Sequence, residues 1–290
     1  MGAEVGIRPA AGPEGNGRPP ASGAHHTRSG PPLRAGGGAG GASGRLRPRL
    51  ESPHSLETPG GTVERTLQYL ETVEHETGAS PQWCVLWLHG LGADGHDFAP
   101  IVPELVAREW PAIRFVFPHA PVRPVTINNG MRMRAWYDIA GMDFATRADS
   151  AGIVESIAQV EALIAREAER GIPAERVLLA GFSQGGAITL AAGLRRERPL
   201  AGLIGLSTYL PGAERLAGFA TEASKRQPVF MAHGSGDPVI PIVHSENSAR
   251  ALRDAGYDVQ WHRYPMAHQV CAEEIADLRT WMGQRFAAAE

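Results

Sequence analysis

The chain has 290 residues, 43% of them hydrophobic and 20% charged, with a net charge of −3 at pH 7. Residues 1–60 hold 14 of the 35 Gly and 9 of the 23 Pro, and 7 Arg against 4 Glu there give +3, which leaves −6 on the other 230 residues. A mildly acidic body argues against nucleic acid as the main partner, because phosphate binding needs a concentrated basic footprint, and no apolar run reaches the roughly 18 residues of an integral membrane segment.

Residues 1–60 are expected to form a disordered tail. The first aromatic residue is Tyr69, and a segment without aromatics and with few aliphatics cannot bury enough apolar surface to offset its ordering entropy. Its arginines are scattered among Gly and Pro and read as a solvated linker; an organelle transit peptide is the alternative, opposed by the same Gly and Pro. Residues 61–290 have the length of one α/β domain.

From residue 62 two patterns alternate. Short apolar runs predict strands over 66–70, 83–88 (WCVLWL), 113–117 (IRFVF), 176–180 (RVLLA), 203–207 (LIGLS), 228–233 (PVFMAH) and 259–264 (VQWHRY). Helices are predicted at 98–109, 184–195, 243–255 and 272–286, and also around Ile153, Ile157, Val160 and Ile164, which recur at helical spacing. Buried strands separated by such helices indicate βαβ units and a doubly wound, mostly parallel sheet flanked by helices, which binds ligands at the carboxyl ends of its strands. Residues 121–147 show no sustained period, yet carry Trp136, Tyr137, Phe144 and three methionines; an apolar loop of that length is expected to wall a pocket. Cys84 and Cys271 match no disulfide or metal spacing and are expected to be buried free thiols, which suits a reducing cytoplasm.

The sharpest motif is GFSQG, Gly181 to Gly185, between a predicted strand and a predicted helix. That context is the one a G-x-S-x-G nucleophile elbow requires. The turn is tight enough to strain the serine, and neighbouring chain passes too close to positions 181 and 185 to admit a Cβ. A serine hydroxyl needs a base to take its proton and a third group to orient that base. In elbows of this kind the acid and then the histidine follow the serine in the chain. Of the downstream histidines, His262 falls within a strand, His244 within a helix, and His233 ends a strand ahead of the best acid. His268, between the last strand and the last helix, is the expected base, and Asp237 in GSGDP the expected acid. Asp254 and Asp258 bracket a turn at the opposite end of the sheet.

The tetrahedral intermediate needs oxyanion donors worth roughly 3–4 kcal/mol each. The expected ones are the backbone N–H groups of Gln184 and of Leu91 in LHGLG. Gly90, Gly92 and Gly95 also spell a dinucleotide fingerprint, but the acid required at the end of the next strand is missing and Pro100 and Pro103 spoil the helix. No cofactor and no metal is therefore expected. His89 is expected to brace its own loop, and His119 to stabilise a turn.

LHGLGADG, AWYDI, LAGFSQGGA, LSTYLP, HGSGDPVIP and YPMAH stand in the order and spacing of the bacterial carboxylesterases related to acyl-protein thioesterases. The chain resembles that family over residues 63–288. The resemblance implies an α/β-hydrolase fold without a separate cap domain, a Ser183–Asp237–His268 triad, and oxyanion donors at Leu91 and Gln184. It further implies small-molecule substrates, namely short- to medium-chain esters, thioesters or lysophospholipids, and suggests homodimers. Trp136, Tyr137, Tyr209 and Leu210 are the expected substrate-binding residues. Two departures stand out: the tail has no counterpart, and Arg132 and Arg134 flank the expected acyl pocket. The reading that emerges is a cytoplasmic serine carboxylesterase; an acyl-protein thioesterase or lysophospholipase would share its site, and a non-catalytic binding protein would have a broken triad.

Overall fold

Nine strands and five helices follow one another in a computed structural model that describes residues 69–287, apart from 142 and 145–147. The expected tail over residues 1–60 and the start of the strand expected at 66–70 lie outside the described residues. The strands are β1 (Thr72–Glu76), β2 (Trp83–Leu88), β3 (Ile113–Pro118), β4 (Val122–Val125), β5 (Met131–Arg134), β6 (Val177–Phe182), β7 (Gly202–Leu206), β8 (Val229–Gly234) and β9 (Val259–Tyr264). The helices are α1 (Val102–Leu105), α2 (Ser150–Glu169), α3 (Gln184–Gly193), α4 (Ile242–Asp254) and α5 (Ala272–Ala287).

Seven strands form one sheet in the order β1-β3-β2-β6-β7-β8-β9. Only β1 runs antiparallel, against β3; every other pairing is parallel. Strands β2, β3, β7 and β8 are buried along their whole length because helices cover both faces. Alternate residues divide between two cores, as the two-residue period of a strand requires. Cys84, Leu86, Leu88, Val116 and Leu179 share one core with side chains of α2, α3 and α4. Val85, Trp87, Phe115, Leu178 and Phe230 share the other with α1 and α5. All ten residues of α3 are buried, so its small residues (GGAITLAAG) let neighbouring chain come close on every side.

Helix α2 opens on Asp149, whose carboxylate accepts the Ala151 and Gly152 N–H groups. At its far end Glu167, fully buried, meets Arg114 of β3 and Arg170 at 2.8 Å each and Arg166 at 3.2 Å. Arg114 also holds Glu76, and Arg166 and Arg170 both hold Glu74, so the network fastens α2 to edge strand β1.

Four expectations need correction. The edge strand among the described residues lies at 72–76, beyond Tyr69 and Leu70, which are not in a strand, and its charged sequence TVEHE hides it from an apolar-run criterion. The helix expected over 98–109 is a 3-10 turn (Ala99–Ile101) followed by the single turn of α1, because Pro100 and Pro103 lack the N–H groups a longer helix would use. Residues 121–147 are not wholly loop: β4 and β5 form an antiparallel hairpin there. Cys84 is buried as expected, whereas Cys271 is half-buried; both are free.

Candidate active site

Ser183 sits between the end of β6 and the first residue of α3, with φ 54° and ψ −118°. Such a backbone costs a non-glycine residue on the order of 1–3 kcal/mol, and its surroundings hold it there. The Ser183 N–H donates to Leu206 O at 2.9 Å, and its carbonyl accepts the Thr208 hydroxyl at 2.7 Å and the Ala187 N–H at 3.1 Å. The elbow glycines are demanded by crowding. A Cβ on Gly181 would lie 2.4 Å from the Gly185 carbonyl carbon, and one on Gly185 only 2.3 Å from Leu88 O.

The other two triad candidates arrive on the loops after β8 and β9. His268 Nε2 lies 2.9 Å from Ser183 Oγ, and its Nδ1 lies 2.7 Å from Asp237 Oδ2. The two loops pack backbone against backbone: Gly236 N–H donates to Met266 O, and a Cβ on Gly234 would lie 2.3 Å from Ala267 O. Asp237 Oδ1 accepts the N–H groups of Val239 (2.8 Å) and Ile240 (2.9 Å). Burial by itself would raise the Asp237 carboxyl, but hydrogen bonds from His233 and His268, the charge of His268 and the Ile240 N–H outweigh it. They hold the group well below the usual carboxylate range. The Asp237 side chain is fully buried, whereas His268 keeps 16% exposure.

The loop after β2 approaches the serine from the other side. A Cβ on Gly90 would lie 3.5 Å from the Ser183 Cβ. His89 fixes the orientation of that loop: its Nδ1–H donates to Gly90 O at 2.7 Å while its Nε2 accepts the Ala120 N–H at 3.0 Å. The N–H of a trans peptide points opposite to its C=O, so holding the Gly90 carbonyl turns the Leu91 N–H the other way. Burial lowers the His89 imidazole to about 4, against the pull of its Gly90 bond, which keeps Nε2 free to accept. Among the described residues, neither the Leu91 nor the Gln184 N–H has an acceptor. The Gln184 N–H also stands at the positive end of the α3 dipole, where negative charge is favoured.

The Gln184 side chain faces away from that chemistry. It accepts the Trp136 N–H at 2.8 Å and donates to Tyr137 O at 2.7 Å, while Trp136 Nε1–H donates to His89 O at 2.9 Å. This corrects the expectation that Trp136 and Tyr137 face substrate. They are 0% and 1% exposed and form a frame behind the two oxyanion candidates, because the polar atoms there need partners more than the pocket needs walls. Tyr209 and Leu210 follow Thr208, and the Tyr209 ring meets Phe144 at 5.3 Å. His119 accepts the Gly95 N–H at 3.1 Å, the turn role expected of it.

His233 and Gly234 are the residues that sequence reasoning missed. His233 Nε2 lies 3.1 Å from Asp237 Oδ2. The signal was the His-Gly pair at a strand end, directly ahead of the acid loop.

The Phospholipase/Carboxylesterase family profile matches residues 70–284. Acyl-protein thioesterase 1 of Neurospora crassa is 40% identical over 210 residues, 69% of this chain and 86% of that protein. Among solved structures, SOBER1 of Arabidopsis thaliana is 32% identical with a TM-score of 0.65, over 70% of this chain and 98% of that one. Acyl-protein thioesterase 2 of Zea mays is 26% identical with a TM-score of 0.66, over 75% and 100%.

Proposed function

Because the chain belongs to the phospholipase/carboxylesterase family of α/β-hydrolases, we propose that Ser183, His268 and Asp237 hydrolyse carboxylic esters and thioesters through an acyl-enzyme. The observation that carries this reading is the unbroken run of hydrogen bonds from Ser183 Oγ through His268 to Asp237. His268 Nε2 takes the hydroxyl proton as Ser183 Oγ attacks the carbonyl carbon. The resulting oxyanion accepts from the Leu91 and Gln184 N–H groups. His268 returns the proton to the leaving alcohol or thiol, and the acyl group stays on Ser183. Water, deprotonated by the same nitrogen, then releases the acid.

The names of the relatives favour S-acylated proteins as the physiological thioesters. Lysophospholipids are the remaining substrate class. We place the boundary of the catalytic domain near residue 61, and take it to act in the cytoplasm, which its two free cysteines support. The homodimer suggested by the family resemblance belongs to this reading as well. No helix among the described residues is long and apolar enough to cross a membrane.

A fluorescent alkyl phosphonate is expected to label the wild type. Ser183→Ala is expected to lose both labelling and turnover of p-nitrophenyl acetate, and full activity in that variant would overturn the assignment. Parallel assays on esters, thioesters and lysolipids rank the substrates. A wild type that neither labels nor turns over any of them would be a binding protein.

A further inference from the structure

Asp237 is held by two histidines. One is the base, His268, on Oδ2 at 2.7 Å. The other is His233, the fifth residue of β8 and wholly buried, whose Nε2 lies 3.1 Å from the same oxygen and 2.8 Å from Ile240 O. Both neighbours of that nitrogen are acceptors, so Nε2 carries the hydrogen, bonded to Ile240 O with the Asp237 oxygen beside it. The opposite nitrogen, Nδ1, is buried without a partner among the described residues, as befits the bare nitrogen of that tautomer.

With Val239 and Ile240 on Oδ1, the carboxylate has four nitrogens within 3.1 Å, two at each oxygen. Two consequences follow. A carboxylate gripped on both oxygens cannot rotate about its Cβ–Cγ bond, so the direction in which it meets His268 is set before substrate binds. An oxygen that already accepts one N–H also offers less charge to a second, so His233 limits how firmly Asp237 holds the imidazolium formed during turnover.

We propose that His233 is a positioning residue for the Ser183 reaction, aiming Asp237 and tempering its grip on His268. The inference rests on the triad reading above. The titratable groups facing the His233 ring are Asp237 and, beyond it, His268. Trp261 of β9 lies 6.5 Å from it, its ring tilted by 26°, and Arg263, its register partner on β9, is exposed.

The test compares His233→Phe, which keeps a ring but no donor, with His233→Gln, whose amide can restore an N–H near the Nε2 position. His233→Phe is expected to lower kcat about 10- to 100-fold with KM within about twofold. The acid limb of its kcat/KM profile moves to higher pH by about half a unit, since the freed carboxylate oxygen favours the protonated base. His233→Gln is expected to recover most of kcat and the wild-type limb. Wild-type kcat and an unmoved limb in His233→Phe would overturn the proposal. So would equal losses in both variants, which a merely structural role predicts. If His233→Phe does not fold, nitrogen-15 shifts of the wild-type imidazoles decide. A proton on Nε2 of His233 supports the proposal, and a proton on Nδ1 refutes it. Ser183→Ala run alongside separates the two readings: if it is inactive while His233→Phe matches wild type, only the role of His233 falls.

Discussion

Gly185→Ala adds one carbon at the most crowded point of the site. Its Cβ would stand 2.3 Å from Leu88 O and 2.5 Å from His89 O, about 1 Å inside ordinary contact. Both obstacles are backbone, in a buried strand end and the loop beyond it, so no side chain can swing aside. Either α3 or the 88–91 segment has to move by about 1 Å. Overpacking of this kind costs roughly 3 kcal/mol, which for a domain of this size lowers Tm by about 6–12 °C. The same shift moves the Gln184 N–H relative to the Leu91 N–H, and misplacement by about 1 Å costs on the order of 100-fold in kcat. Gly218→Ala is the control, because a Cβ there meets nothing within 4 Å; it is expected to change stability by less than about 0.5 kcal/mol. Calorimetry and p-nitrophenyl acetate turnover report the two effects separately. A Gly185→Ala protein that melts and turns over like wild type would refute the crowding argument for the elbow.

His89→Leu removes the donor to Gly90 O and the acceptor for Ala120 N–H. We expect kcat to fall about 100-fold with KM little changed, and steady-state kinetics showing a KM-only effect would contradict this. Glu167→Gln leaves Arg114, Arg166 and Arg170 short of one buried carboxylate, and urea titration is expected to read a loss of about 3–5 kcal/mol. A loss below about 1 kcal/mol would mean that Glu74 and Glu76 suffice. Glu274 is buried in the first turn of α5, and burial raises its carboxyl to about 8 against the pull of the Cys271 N–H. Folding therefore takes up a proton there, and the group's contribution to stability falls as pH rises from about 4.5 to about 8. Glu274→Gln is accordingly expected to raise Tm at pH 8.5 and barely alter it at pH 5; equal shifts at both would refute the burial account.

What could be read from the chain follows from where the signals were local. The five buried strands WCVLWL, IRFVF, RVLLA, LIGLS and PVFMAH were legible because both faces are covered, so apolar residues run without interruption. The elbow was legible because its glycines answer to steric limits within five residues. Strand β1 was not: an edge strand pairs on one side only, and its Glu74 and Glu76 are held by arginines more than thirty residues away. The β4–β5 hairpin carries Pro124 and three arginines, and its two strands of four residues are too short for a period to stand out. Trp136 and Tyr137 were misread for a different reason. An aromatic side chain says that a residue will be covered, and only the fold says whether protein or ligand covers it. His233 shows the same gap, since its partner lies one tight turn ahead and the turn's closure depends on β9.

The two ends of Gln184 have a consequence for anyone recombining sequences within this family. Its amide hydrogen belongs to the elbow, while its carboxamide is keyed to Trp136 and Tyr137 in a different segment. The second x of G-x-S-x-G is thus half of a lock whose other half lies nearly fifty positions earlier. A chimera that imports the 121–147 segment from a relative without position 184, or the elbow without that segment, inherits mismatched halves. The interchangeable module is the pair, although nothing in the linear order of the chain marks it as one unit.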